Sequence, residues 1–396
     1  GDSRAGRRLR TGLATFEIAL AMALLVSAGL FTHSLLNVSR VDLGIDVERL
    51  ATFGIRPQLN GYGPEATRAL YARLEEELAG LPGVTHATAS MVPLIAGSNW
   101  TSNVTVEGFE AAPDADTNAS MNEIGPGFFR TVGIPLLAGR EIELRDGETA
   151  PKVAVVNEAF ARKFGYGRDV VGKRMQVGSG GELDIEIVGL AADANYSEVK
   201  DPPPPIFYTP YRQDEDLGSV YFYVRSAADP KTLLASLRST VSRLDPNLPV
   251  EDLRTMEMQV EENVAIDRML TTLSTGFALL ATLLAAIGLY GVVAYSVAQR
   301  TREIGLRVAL GADRQEIGKM VLKQVAFMTV VGGALGLAAA FGLGRLAQSI
   351  LFGLEGHDPT VLALSTAALT AVALAAGMVP AMRAARVDPV EALRAE

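Results

Sequence analysis

The chain has 396 residues, a formal net charge of −9, 48% hydrophobic residues and no cysteine. The missing cysteines exclude disulfide staples and thiolate metal sites, and no nucleic-acid partner is expected. The apolar share is high for a water-soluble protein of this size, and it is concentrated in four runs: Leu13–Leu36, Leu273–Val297, Val325–Leu351 and Val361–Ala381.

Residues 1–12 carry Arg4, Arg7, Arg8 and Arg10 ahead of the first run. That run has the basic flank of a signal peptide, but it is too long for a signal h-region and lacks an A-x-A cleavage site before the block that follows. It reads as a retained anchor. A helix rises about 1.5 Å per residue and the hydrocarbon core is about 30 Å thick, so about 20 apolar residues span it. Each of the four runs is long enough, and as helix each satisfies its own backbone hydrogen bonds.

Residues 41–268 read as one large domain with a split repeat. After the strand Ala51–Ile55, Leu70, Leu74, Leu78 and Leu81 mark one face of a helix; after the strand Val220–Val224, Leu233, Leu237, Val241 and Leu244 repeat the spacing. A proline stands near the first turn of each helix (Pro64, Pro230), where its missing N–H costs least. Each helix leads through a Pro-containing turn to another strand, Val84–Met91 and Val250–Leu253. Two strand–helix–strand units, residues 41–91 and 217–268, then form an α/β subdomain. Residues 92–216 are a Gly-rich insertion, with strands expected at Val104–Gly108, Lys152–Val156, Arg174–Val177 and Asp184–Gly189. Short helices are expected at Pro126–Val132 and Glu158–Phe164, the latter capped by Asn157. Gly178–Gly181 reads as a hairpin turn, and Pro202–Pro205 as a stiff extended connector.

Between the second and third runs, residues 298–324 form a basic, Gly-punctuated elbow. The helix of run two is expected to continue straight through Arg300–Arg307 and to stop at Gly311 by a left-handed C-cap. Asp313 with Glu316 then starts the helix that feeds run three. Ile304, Val308 and Leu310 are apolar residues that membrane insertion alone does not require. Pro380 is expected to break run four, and in the tail, residues 382–396, Asp388, Pro389 and Glu391 are expected to start a last short helix. Residues 352–360 form a short loop without Lys or Arg. Because basic loops stay in the cytoplasm, both termini and the elbow are placed there. Residues 41–268 and 352–360 are placed outside.

No catalytic constellation stands out, and the reading is of a non-enzyme without cofactor or metal. His33, His86 and His357 are far apart, and no G-x-x-x-x-G-K-[ST] loop is present. The acidic runs Glu75–Glu77 and Asp214–Asp216 read as solvated surface. Within the apolar runs the Asp, Glu, Lys and Arg residues are Glu17 and Arg345 alone, each near an end, where it can snorkel. Gly332-Gly333-x-x-Gly336 and Gly342-x-Gly344 instead suit close helix packing.

At these residues the chain resembles the FtsX-like, MacB-like family of ABC transporter permeases. The hairpin RTREIGLRVALGA and the tail PAMRAARVDPVEALR carry the likeness, with FFRTVGIPLLAGRE (Phe128–Glu141) and VAVVNEAFARKFG (Val153–Gly165) in the insertion. The chain is more similar still to one half of a tandem-duplicated permease. The resemblance implies four transmembrane helices with a large extracytoplasmic α/β domain, in the bacterial inner membrane. It also implies mechanotransmission, in which a separate cytoplasmic ABC-type ATPase grips the elbow and its motion works the outside domain, for export or efflux. Carried over onto matching positions, Arg302, Glu303, Ile304, Gly305, Arg307, Leu310 and Gly311 would form the ATPase contact. A second permease copy or companion half, a periplasmic adaptor and membrane lipid are the other implied partners. The alternative reading is a membrane-anchored sensor or scaffold with a periplasmic binding domain and no ATPase coupling.

Overall fold

The computed structural model describes all residues except 1–3, 111, 113–114, 179, 215–216, 310–312, 349, 355 and 387–396, and omits the side chains of residues 4, 5, 7, 302, 308, 309 and 314. In chain order the elements are α1 (Arg4–Val38), β1 (Leu50–Ile55), α2 (Pro64–Ala79), β2 (Val84–Ser90), β3 (Trp100–Val106), β4 (Asn118–Ile124), α3 (Phe128–Val132), β5 (Leu136–Gly139), β6 (Val153–Asn157) and α4 (Glu158–Lys163). There follow β7 (Arg174–Val177), β8 (Ile185–Ala191), β9 (Ile206–Pro210), β10 (Val220–Ser226), α5 (Leu234–Leu244), β11 (Glu251–Thr255), α6 (Met256–Asn263), α7 (Ala265–Gln299), α8 (Thr301–Ala309), α9 (Arg314–Leu346) and α10 (Pro359–Ala385). Contacts divide the chain into a sheet unit, Val41–Ala265, and a helix unit made of Gly1–Arg40 with Ile266–Glu396.

In the sheet unit the four strands of the repeat lie in the order β11-β1-β10-β2, and all neighbours are antiparallel. The two strand–helix–strand units therefore interleave: each puts a strand of the other between its own two. Leu70, Leu74 and Leu78 of α2 and Leu237 and Val241 of α5 are buried in one cluster with Phe53 and Phe222 of the sheet. Those two rings stack at 5.3 Å. The sheet continues from β2 through β4, β3, β7, β8, β6 and β9, with β5 paired to β8. Sequence patterning did not reveal β4, β5 or β9. Two of the pairings here, β4 with β9 and β6 with β8, are parallel.

A single side chain pins the inserted half. Asn157 is 1% exposed, and its Oδ1 accepts from Phe160 N–H (2.9 Å) and Ile206 N–H (3.0 Å). Its Nδ2 donates to Asp193 Oδ1 (2.8 Å) and Pro204 O (2.9 Å). The expected N-cap is present, and the same side chain ties α4 to β9 and to the proline connector. Asn157→Ala leaves several buried groups unpaired and is expected to cost about 2–4 kcal/mol, read as a fall in thermal unfolding midpoint.

In the helix unit, α1, α7, α9 and α10 are long and apolar enough to cross a membrane. Ala14, Ile18, Ala21, Met22, Val26 and Leu30 form the buried stripe of α1, at the spacing a helix needs to keep one face inward. The hydroxyls of Thr15, Ser27 and Thr32 donate to carbonyls four residues back, so these polar groups need no outside partner. Of the glycines expected to allow close packing, Gly332, Gly336 and Gly344 do so, and Gly342 meets no neighbour. A Cβ on Gly332 would lie 2.8 Å from Thr15 O, and one on Gly336 2.5 Å from Ala19 O.

Four sequence expectations are corrected. The helix of run two does not continue through Arg307: it ends at Gln299, and α8 is a separate helix. The Thr301 hydroxyl donates to Ala298 O at 2.8 Å, satisfying a carbonyl at that break. Run three ends as helix at Leu346 rather than Leu351. Pro380 does not break run four, because α10 continues past it to Ala385; a proline forfeits one backbone bond, and the following turn is held by the packing of buried Ala381 and Ala384. Glu17 does not simply snorkel, since its Oε2 is buried without a hydrogen-bond partner and occupies the space over Gly288.

Candidate functional site

The elbow is built from the end of α7, a one-residue turn at Arg300, α8 and the start of α9. The first bond of α8 runs from Ile304 N–H to Arg300 O at 2.8 Å. At the far side Asp313 caps α9, its carboxylate accepting from Gln315 N–H at 3.2 Å. Leu310 and Gly311, and with them the expected left-handed cap, lie outside the described residues, as does the tail helix at 388–391. Arg302 is within α8 by its backbone; its side chain is not described.

The remaining site residues divide between two faces of α8. Ile304 is 1% exposed and belongs to the same apolar cluster as Ile317, Val321 and Val325 of α9; Gly305 is buried beside it. Glu303 and Arg307 are exposed and form an i,i+4 ion pair at 2.6 Å. Arg307 Nη1 also donates to Met320 Sδ at 3.3 Å, so the exposed rim of α8 meets α9. Leu306 is 52% exposed. Residues two apart on a helix point about 200° from each other, so burial of Ile304 turns Leu306 outward. Ile304, expected to be an anchor for a partner, is thus an internal residue of the helix unit. Leu306, absent from the expected contact set, is an apolar group exposed between two charges, and among the described side chains of α8 it is the exposed large apolar one.

Among the described residues no group of three or more His, Asp or Glu side chains could hold a metal ion. The acidic expectation at residue 214 has a structural partner that the sequence concealed. Glu123 of β4 is 8% exposed, and it lines a cavity of about 300 Å³ together with Asp214, Gln213 and Lys152. Burial first, and Asp214 second, push its carboxyl up to about 8 from a usual 4.5. The folded chain therefore holds this proton between about pH 4.5 and 8 while the unfolded chain releases it. The stabilisation is complete below the lower value and is lost as pH rises through the upper one. Glu123→Gln is expected to flatten that loss and to raise stability at about pH 8.5 by up to a few kcal/mol, measured by thermal unfolding of the full chain in detergent at about pH 5 and 8.5.

Comparison with known proteins covers both units. Residues 11–240 match the family described as MacB-like periplasmic core domain, and residues 275–389 match the FtsX-like permease C-terminal family. The macrolide export ATP-binding/permease protein MacB of Shewanella oneidensis is 27% identical, the alignment covering 98% of this chain and 58% of that protein. The ABC transporter permease YknZ of Bacillus subtilis is 25% identical, with 72% of each chain covered. The chain spans about half the length of the MacB relatives it matches. The crystal structure of the periplasmic region of MacB from Actinobacillus actinomycetemcomitans aligns with a TM-score of 0.37 at 16% identity, covering 57% of this chain and 98% of that one.

Proposed function

Because the chain belongs to the FtsX-like, MacB-like family of ABC transporter permeases, we propose that it converts the ATP-driven motion of a cytoplasmic ABC-type ATPase into movement of its periplasmic domain, in an export or efflux role. It is an inner-membrane protein with four apolar helices. In this reading all four span the bilayer, the elbow and termini face the cytoplasm, and residues 41–268 lie in the periplasm. ATP is hydrolysed by the partner, and the chain itself is a non-catalytic subunit. A second permease copy, or a companion half, completes the pair of levers that an ATPase dimer requires, and a periplasmic adaptor is a further partner.

The observation that carries this reading is the build of α8. It is short, it buries Ile304 in the core of the helix unit, it meets α9 through Arg307 and Met320, and it exposes Leu306 between Glu303 and Arg307. An exposed apolar residue rimmed by charges suits a docking groove, with the leucine as anchor and the charges setting orientation. A push on α8 would reach α9 through the contact of Arg307 with Met320. Of the expected contact residues, Arg302, Glu303, Arg307, Leu310 and Gly311 remain proposed at the ATPase surface. Ile304 and Gly305 are proposed to hold α8 in place. The test is affinity capture of the intact membrane complex with a co-expressed ATP-binding subunit, followed by its ATPase rate with and without the permease. Capture without any change in rate would favour the sensor or scaffold reading.

A further inference from the structure

We propose that a concave site at one end of the helix unit, formed by Arg8 and Arg10 of α1, Tyr295 of α7, Arg300, and Gln324 of α9, binds the phosphate of an anionic phospholipid headgroup. The cavity holds about 380 Å³, within the range of small-molecule sites. Its other lining residues are Thr11, Val292, Ser296 and Gln299, so three arginines line it and none of the residues lining it is a carboxylate. A concave surface with that balance selects an anion, and the planar fork of arginine matches a phosphate with paired N–H donors.

Part of the site is ordered in advance. The Arg10 guanidinium lies 4.3 Å from the centre of the Tyr295 ring, and Gln299 donates to the Tyr295 hydroxyl at 2.9 Å. The Ser296 hydroxyl donates to the Gln324 side-chain oxygen at 3.3 Å, tying α7 to α9 across the floor. A phosphate arriving here meets donors already gathered from three helices, so little side-chain freedom is lost on binding.

Position identifies the anion as lipid. Arg8 and Arg10 stand just before the apolar run that starts at Leu13, Tyr295 and Arg300 flank the end of the run at Val297, and Gln324 directly precedes the run that starts at Val325. The cavity is therefore at the level where hydrocarbon gives way to headgroups. Basic pockets between spans on the cytoplasmic side are where anionic headgroups are held. A bound lipid would join α1, α7 and α9 at their shared end, beside the elbow. This inference rests on the four-span reading and is independent of ATPase coupling.

The full chain in detergent is titrated with phosphatidylglycerol and with phosphatidylcholine, and retained lipid is counted by native mass spectrometry. Preferential retention of phosphatidylglycerol is expected. Each of Arg8→Gln, Arg10→Gln and Arg300→Gln should weaken it about fivefold, with Arg383→Gln, at a residue outside the site, unchanged. Equal retention of the two lipids, or wild-type retention by the triple variant, would overturn the proposal. Release of phosphatidylglycerol by millimolar inorganic phosphate would overturn the lipid assignment in favour of a free-anion site. Should the triple variant fail to assemble, the lipid preference of the unaltered chain and the single Arg300→Gln variant decide. No ATPase is present in this experiment, so failure of the coupling reading cannot produce its outcome.

Discussion

Gly336→Leu is expected to take apart the packing of α1 on α9 and to leave little folded protein. A Cβ at Gly336 would stand 2.5 Å from Ala19 O and 2.6 Å from Met22 Cβ. Both are atoms fixed by the α1 backbone, so no change of rotamer relieves the clash, and the helices must part by about 1 Å to restore ordinary contact. Parting them loosens Ile18, Met22 and Val26, which are buried in the cluster the two helices share. Overpacking a tight core costs about 1–3 kcal/mol and sometimes more; a rigid helix pair offers no cheap way to yield, so the upper end or beyond is expected. The check is the thermal aggregation midpoint of the detergent-extracted chain beside Gly342→Leu. A Cβ on Gly342 meets nothing within 4 Å, so that variant should match the parent. Equal behaviour of the two variants would mean that α1 does not lie on Gly336.

The contrast between those glycines shows what the sequence could reveal. Small residues in an apolar run say that a helix can be approached closely, and four runs of sufficient length say that four helices exist. Neither says which glycine meets a neighbour, because that depends on how α9 is rotated. The repeated leucine spacing likewise pointed to α2 and α5, since a 3.6-residue period records burial of one face. The strands β4 and β9 left no such record. β4 reads NASMNEI, and its buried positions include Asn122 and Glu123, polar residues with tertiary partners: Asn122 bonds both the N–H and the carbonyl of Val92. β9 follows a run of prolines, and its strand neighbours, β4 and β6, are remote in sequence. At the elbow, the Asp313 cap was legible because helix caps leave local signals. The burial of Ile304 was not, because it arises from tertiary packing in a cluster that draws residues from all four long helices.

That burial sets the second large effect and separates two variants that the sequence treats alike. Leu306→Asp is expected to leave thermal stability close to the parent, because Leu306 is 52% exposed, while lowering stimulation of the partner ATPase at least tenfold. A carboxylate placed between Glu303 and Arg307 removes the apolar anchor and adds repulsion against any acidic rim on the partner. Ile304→Asp should instead destabilise the helix unit itself, since an ionised group at a position 1% exposed within the apolar cluster has no compensating partner. Its ATPase stimulation would fall only in proportion to the folded protein lost. Paired measurements of melting midpoint and stimulated ATPase rate on both variants distinguish the outcomes. Normal stimulation by Leu306→Asp would remove α8 as the coupling contact. A stable but uncoupled Ile304→Asp chain would mean that Ile304 leaves the helix unit when the ATPase binds, so that α8 turns over to present its other face.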